Sequence, residues 1–120
     1  MTEQKSSEIQ LLHDAYKAFN ARDIDGALAL MTSSVEWPRA FKGGFVHGPE
    51  AIRSYWTEQW NEIDGKVTPI SFQKESVSSI MVEVHQVVRD LTGTIIADDT
   101  VYHRFTFVDG LIHKMELAEQ

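Results

Sequence analysis

The sequence predicts an α+β fold in which three N-terminal helices pack on one face of a mostly antiparallel sheet. In the first half of the chain, apolar residues recur at three- and four-residue steps, as in amphipathic helices. From Val67 onward they recur at every second position, as in half-buried strands. Turn signals at residues 90–93 and at Asp109-Gly110 divide this second half into a meander. Helices followed by strands favour a layered α+β domain.

The composition is that of one ordinary globular domain, with 120 residues, 42% hydrophobic and 24% charged. We expect a flexible tail over residues 1–5 and a single domain over 6–120. The absence of cysteine excludes disulfides and thiolate chemistry. A net charge of −7 with scattered cations argues against nucleic-acid binding. No apolar run approaches the roughly 18 residues of a membrane span, so we expect a cytoplasmic protein without membrane contact.

The first two helices are predicted from caps and apolar stripes. Ser7 and Gln10 can form a capping box, and Asp23 can cap a second, shorter helix. The stripe of the first helix consists of Ile9, Leu12, Tyr16 and Phe19. The face of the second consists of Ile24, Ala27, Leu28 and Met31. Residues 32–34 are expected to end the second helix.

The rest of the chain is predicted as one more helix and several strands. A brief strand over 35–38 is followed by an irregular loop that ends at Pro49, which suits the first turn of a helix. That third helix is expected over 50–63, with most of its large apolar residues on one face. The strands of the meander are expected at 67–75, 79–89, 94–108 and 111–117.

The two long strands can be placed in register from their apolar sides. A four-residue loop at 90–93 places Ile80 opposite His103 and joins apolar side to apolar side. In this register Gln86, Asp99 and His103 point toward the helix-covered face, with Gln86 diagonal to Asp99. A buried polar group without a partner costs about 1 to 3 kcal/mol. The three side chains therefore indicate either a wet cavity or a filled core in which Tyr and Trp groups satisfy them.

Aromatic residues are expected to form the walls of such a cavity, as in small-molecule pockets. The candidate binding residues are Tyr16, Trp37, His47, Tyr55, Trp56, Trp60, Gln86 and Phe105. His47 lies on a glycine-flanked loop, where it can either close over the pocket mouth or stay in solvent.

Two residues are candidates for acid/base chemistry. His103 is titratable near neutral pH, although a lone inward histidine can equally be a hydrogen-bonded core residue, and burial would lower its pKa. Asp99 needs a partner or a proton if it is buried. The other histidines have no acidic residues at metal-ligand spacing, so no metal is expected. Gly43-Gly44 lacks the lysine of a phosphate-binding loop, so no nucleotide or other cofactor is expected.

Four short motifs carry a resemblance to a known family. They are Asn-Ala-Arg-Asp-Ile-Asp-Gly at 20–26, Val-Glu-Trp-Pro at 35–38, Gly-Pro-Glu-Ala-Ile-Arg at 48–53 and Gly-Leu-Ile at 110–112. With them the sequence resembles the nuclear transport factor 2-like superfamily, in its SnoaL-like and ketosteroid-isomerase-like branch. The resemblance implies a cystatin-like cone, in which a curved sheet wraps a helix around an open pocket. It also implies a homodimer formed through the outer sheet face.

The resemblance carries over only part of the family's chemistry. The ketosteroid isomerase base falls at Trp37, which has no basic lone pair, so steroid isomerase activity is not expected. His103 aligns with a hydrogen-bond donor of a late strand, and Tyr16 lies one step from the first-helix tyrosine. In SnoaL-like cyclases an inward acid/base on the long strands transfers the proton, a role open to His103 or Asp99.

Two classes of function follow. One is a cofactor-independent acid/base isomerase, cyclase or hydrolase that acts on a small apolar or polyketide-like substrate. The other is a non-catalytic ligand-binding or dimerisation module with a vestigial pocket. In either class we expect a homodimer, because the uncovered sheet face carries an apolar patch. That patch consists of Met81, His85, Val87, Ile96, Tyr102 and Val108.

Overall fold

The computed structural model describes residues 7–39 and 43–118, which form three helices and six strands. The helices are α1 (Ser7–Asn20), α2 (Ile24–Leu28) and α3 (Pro49–Trp60). The strands are β1 (Met31–Pro38), β2 (Phe45–His47), β3 (Ile63–Ser76), β4 (Ser79–Asp90), β5 (Ile95–Val108) and β6 (Leu111–Ala118). The predicted α+β class is confirmed, and the predicted tail at 1–5 lies outside the described residues.

All six strands belong to one curved sheet of order β2-β1-β6-β5-β4-β3. The predicted meander is β3 to β6, and its three neighbouring pairs are antiparallel. β1 continues the sheet by pairing parallel with β6, and β2 pairs antiparallel with β1. The sheet is therefore mostly antiparallel, as predicted, but two strands wider than the meander.

The prediction of three N-terminal helices is corrected in one respect. Only α1 and α2 precede the sheet, whereas α3 follows β1 and β2. The second helix was predicted to reach Met31, but it ends at Leu28, and Met31 begins β1. The Ile112 N–H donates to the Leu30 carbonyl, and Met31 is the register partner of Ile112. Pairing of Met31 with a residue 81 positions away thus overrides the local helical spacing.

Two further boundaries differ from the prediction. The loop expected before Pro49 contains β2, which pairs with the second half of β1. The third helix ends at Trp60, and Ile63 already begins β3, which pairs with Asp90 of β4. The first difference adds a local pairing between residues 36–38 and 45–47, whereas the second adds pairing between residues that are distant in sequence.

The register of β4 and β5 is shifted by two residues from the predicted one. Ile80 lies opposite Phe105, not opposite His103, and Gln86 lies directly opposite Asp99. A shift of two keeps every side chain on its predicted face, because strand side chains alternate with period two.

The turn between the two strands explains this shift. Arg89 pairs with Ile95, so five residues separate this pair instead of the four that were expected between Arg89 and its partner, and a bulge follows at Val88/Arg89. One Asp90 carboxylate oxygen accepts hydrogen bonds from the backbone N–H groups of Thr92 and Thr94, which stabilises the longer loop.

The core lies between the helices and the concave face of the sheet. Its most enclosed members are Leu12, Val35, Ile52, Trp56, Ile80, Val82, Val84, Phe105 and Ile112. At one side, α1 is held against the edge strand β3 by Asn20. Its amide donates to the Val67 carbonyl at 2.7 Å, and its oxygen accepts from the Val67 N–H at 2.9 Å. This clamp satisfies the exposed backbone of the sheet edge at that point.

Candidate functional site

A cavity of about 80 Å³ lies between the helices and the concave sheet face. The polar groups that line it belong to Tyr16, Trp37, Tyr55, Gln59, Gln86 and His103. Its other walls are apolar and come from all three helices and from four strands. Within residues 7–39 and 43–118, no Asp, Glu, Lys or Arg lines this cavity. The cavity is therefore an uncharged space with a few hydrogen-bonding groups.

His103 and Tyr16 form the polar centre of the cavity. The Tyr16 Oη and His103 Nδ1 atoms are 2.8 Å apart, and the two rings are nearly parallel, at 8°. Both side chains are buried, His103 on the inner face of β5 and Tyr16 on the inner face of α1. This hydrogen bond joins two residues that are far apart in sequence, and it fixes the position of both rings.

Burial keeps both members of the pair neutral at neutral pH. Loss of solvation lowers the pKa of His103 from 6.5 to about 4. The same cause raises the pKa of Tyr16 well above its ordinary value. The imidazole therefore keeps one N–H donor and one acceptor nitrogen.

The proton arrangement in the pair follows from counting partners. If Tyr16 donates to Nδ1, the one group of the pair that lacks a partner among the described residues is the His103 Nε2–H. If Nδ1–H donates to Tyr16 instead, two groups lack a hydrogen-bond partner among the described residues, the phenol hydrogen and Nε2. Each unmade bond costs about 1 to 3 kcal/mol, so the first arrangement is favoured. Because His103 lines the cavity and Nε2 is not sealed by protein atoms, Nε2–H is a donor toward the cavity.

Aromatic side chains form a large part of the cavity wall. Trp56 is 1% exposed and meets Trp37 edge to face, with ring centroids 5.4 Å apart. Phe105 lies between Trp37 and Tyr16, at 6.2 and 5.9 Å from their rings. Tyr55 is also buried and lines the cavity one residue before Trp56. These contacts form a stiff apolar wall that faces the His103 donor.

Most of the residues singled out from the sequence meet at this cavity. The structure brings together Tyr16, Trp37, Tyr55, Trp56, Gln86, His103 and Phe105. It does not bring Asp99, His47 or Trp60 to the cavity.

The inward position predicted for Asp99 is corrected. Asp99 has the same strand parity as His103, but the helices do not cover that end of the sheet, and its side chain is exposed. His47 is likewise exposed, 3.6 Å from the Glu36 carboxylate on the neighbouring strand. Neither residue lines the cavity.

Trp60 lies behind the cavity wall. Its ring is 5.8 Å from that of Trp56, and the Arg22 guanidinium lies 4.6 Å above it. Its Nε1 is a buried atom without a hydrogen-bond partner among the described residues. Trp60 therefore supports Trp56 and does not reach the cavity.

Several lining residues were not predicted from the sequence. Gln59 lies four residues after Tyr55, and a polar residue on an otherwise apolar helix face was the signal that could have identified it. Met115 and Leu117 follow from the period-two pattern of β6. Met31 could not be placed, because it was assigned to a helix.

No group of three or more His, Asp or Glu residues in the described ranges could hold a metal ion. No described helix is long and apolar enough to cross a membrane.

The fold and the cavity define an α+β domain with a curved six-stranded sheet, and comparison with known proteins identifies its family. The family model of the SnoaL-like domain matches residues 12–115. The chain belongs to the SnoaL-like family, which confirms the resemblance drawn from the sequence motifs. No curated protein matches the sequence significantly.

Three solved structures are similar over nearly the whole chain. TerC, co-crystallized with polyporic acid, is 27% identical, with 96% of this chain and 92% of that chain covered and a TM-score of 0.83. RV0760c from Mycobacterium tuberculosis, in complex with estradiol-17β-hemisuccinate, is 18% identical, with 97% and 95% covered and a TM-score of 0.82. A putative polyketide cyclase from Xanthomonas campestris pv. campestris is 20% identical, with 95% and 90% covered and a TM-score of 0.78.

Proposed function

We propose that this protein binds a small, largely apolar molecule through an oxygen atom that accepts a hydrogen bond from His103 Nε2–H. The observation that carries the proposal is the buried His103–Tyr16 pair, which leaves one unpartnered donor in the cavity. A ligand that supplies the acceptor satisfies this donor, and the aromatic walls bury its apolar body. A ketone or quinone oxygen has the required chemistry.

The enclosed part of the ligand is uncharged in this proposal. The lining described above contains no ionised side chain, and an ion buried without a partner is strongly disfavoured. Related folds lend support to an organic ligand, since TerC holds polyporic acid and RV0760c holds a steroid ester in their crystals. The putative cyclase from Xanthomonas supports a polyketide-like ligand class.

A second candidate function is cofactor-independent acid/base catalysis at the same position, as an isomerase, cyclase or hydrolase. The observation that favours it is the neutral donor held in a water-poor cavity, which can stabilise a developing oxyanion. With a pKa of about 4, however, neutral His103 is a weak base. Asp99 lies outside the cavity, so the proposal assigns the donor role to His103 alone.

The binding proposal is tested with acetophenone as the probe and isothermal titration calorimetry as the readout. We expect His103→Phe to bind it at least tenfold more weakly, because the ring is retained and the donor is lost; tenfold corresponds to about 1.4 kcal/mol. His85→Phe, on the exposed opposite face, is the matched control and should bind like the wild type. Equal affinities of the wild type and His103→Phe would contradict the proposal.

The same probe separates binding from catalysis. Proton abstraction next to the ketone exchanges the methyl hydrogens of acetophenone for deuterium in heavy water, which NMR detects. A protein that only binds leaves the exchange at the solvent rate, whereas an acid/base catalyst accelerates it. Acceleration that disappears in His103→Phe would establish the second candidate.

We also propose that the chain forms a homodimer through the outer face of the sheet. Ile96 and Val108 are exposed on the predicted patch, at 56% and 42%, whereas Met81 is buried. His85 and Asp98 form an ion pair on the same face, with 2.7 Å between Nε2 and Oδ1. Sedimentation equilibrium at micromolar concentration should report about twice 13.6 kDa, and a monomer would contradict this prediction.

A further inference from the structure

The cavity alone is too small for an aromatic ring, so a ring-sized ligand must extend beyond it. Its volume is about 80 Å³. A cavity of about 150 Å³ is known to take benzene, so a ring-sized ligand needs roughly twice the space available here. The side chain that moves at the lowest cost therefore determines where the ligand extends.

A second space lies directly beyond one wall of the cavity. A cleft of about 310 Å³ separates the end of α3 from the ends of β4 and β5. Its apolar surface is formed by Ile63, Val88, Ile96 and Ala97. Tyr55 and Gln59, one helical turn apart on α3, line both the cavity and the cleft.

Of these two shared residues, Gln59 is the easier to displace. Its side chain is only half-buried and has no hydrogen-bond partner among the described residues. Tyr55, by contrast, is buried. A rotation of the Gln59 side chain breaks no hydrogen bond and opens space that already exists.

The wall of the cavity on the side of α1 and β3 is held in place by hydrogen bonds. The cavity and the groove between α1 and β3 share Tyr16 and Val67. Tyr16 is held by His103, and both backbone groups of Val67 are held by Asn20. Opening that side would break buried hydrogen bonds.

We propose that Gln59 is a gate between the two spaces and that the protein takes an elongated ligand that fills both. This inference rests on the proposed function. The ligand oxygen accepts from His103, one apolar ring occupies the cavity, and a second ring lies against Val88 and Ala97 in the cleft. With the cleft included, the site falls within the roughly 300 to 1,000 Å³ of ordinary ligand pockets.

The charge of the cleft restricts the far end of the ligand. Glu62 lies on the rim of the cleft and is exposed. Its carboxylate repels an anionic group and tolerates a neutral or cationic one. The ligand class is thus an elongated diaryl or polycyclic ketone without an acidic far end.

Two ketone probes of different length test the extension, acetophenone and 4-acetylbiphenyl, which share the acetyl group. Ala97→Phe fills the cleft without touching the cavity. We expect it to weaken binding of 4-acetylbiphenyl at least tenfold more than binding of acetophenone, because the second ring needs the most space in the cleft. Ile95→Phe is the matched control, because Ile95 is exposed and lines neither space. It should bind both probes like the wild type.

The outcomes separate the two proposals. If acetophenone binding depends on His103 but Ala97→Phe leaves 4-acetylbiphenyl unaffected, the extension is wrong and the proposed function stands. If neither ketone binds the wild type, both proposals are wrong.

Two further arms test the gate and the charge of the cleft. Gln59→Ala should raise the association rate of 4-acetylbiphenyl about threefold or more, because no side chain must rotate; an unchanged rate would overturn the gate.

The acid 4′-acetylbiphenyl-4-carboxylate should bind several-fold more weakly than 4-acetylbiphenyl at low salt, with a smaller difference at 1 M salt. Equal or tighter binding of the acid would overturn the assigned charge preference.

Discussion

Replacement of Trp56 by alanine should lower the free energy of unfolding by about 4 kcal/mol, within the range of 3 to 5 found for buried aromatic truncations. Trp56 is 1% exposed and contacts the rings of Phe19, Trp37 and Trp60. Its removal leaves a large hole between α3 and the sheet, next to an existing cavity. Urea denaturation at pH 7, followed by circular dichroism, measures the change.

Trp60→Phe provides the matched control on the same helix. Trp60 Nε1 is buried and has no hydrogen-bond partner within residues 7–39 and 43–118, so phenylalanine removes an unsatisfied donor and keeps most of the ring contacts. We expect a change of less than about 1 kcal/mol, because the lost packing and the removed polar group act in opposite directions. A loss below about 2 kcal/mol in Trp56→Ala would mean that the wall collapses around the site.

The periodicity of apolar residues was sufficient to predict the helices and strands that bury one face. The stripe of α1 and the alternation along β4 and β5 both follow from local sequence, since each element must turn its apolar side to one core. The alternation of side chains between the two faces of a strand also kept the prediction of faces correct despite an error in the register. The predicted pairing of Ile80 with His103 was wrong by two residues, yet His103 was correctly expected to face the helices, because a shift of two preserves the face.

Elements that depend on distant pairing could not be predicted in this way. Met31 continues the apolar spacing of α2, but its pairing with Ile112 places it in a strand. The short strand β2 exists only because β1 lies beside it. Met31 leaves no local signal because its partner Ile112 is far away in sequence, whereas β2 was missed because three residues are too few to show a period-two pattern.

The residues of the candidate site also divide into those that local sequence could identify and those whose position depends on tertiary packing. His103 could be found because its neighbours Val101 and Phe105 identify the inner face of β5. Asp99 has the same parity, but its exposure depends on where the helices stop covering the sheet. Parity tells which side of a sheet a residue faces, whereas depth depends on the packing of α1 and α3. Gln59 was missed for a related reason, because its role depends on open space on both sides of α3.

Stability should fall in mild acid because of His103. Burial lowers its pKa from 6.5 in the unfolded chain to about 4 in the folded protein. Between these values the unfolded chain binds a proton that the folded protein does not, so the unfolded state is favoured as the pH falls. The stabilising contribution of neutral His103 is complete above pH 6.5 and is lost progressively toward pH 4. At pH 5 the loss amounts to about 2 kcal/mol.

His103→Phe isolates this effect from the carboxylates, which titrate in both proteins. We expect the wild type to lose about 2 kcal/mol more than His103→Phe between pH 7 and pH 5, as measured by urea denaturation. Tyr16 is the titratable group in contact with His103, and burial raises its pKa, so it stays neutral throughout this range. Tyr16→Phe should therefore keep the wild-type pH dependence, because the cause is loss of solvation. Parallel curves for the wild type and His103→Phe would mean that the imidazole is already protonated in the fold or reaches solvent, and the neutral donor at the centre of the site would then be wrong.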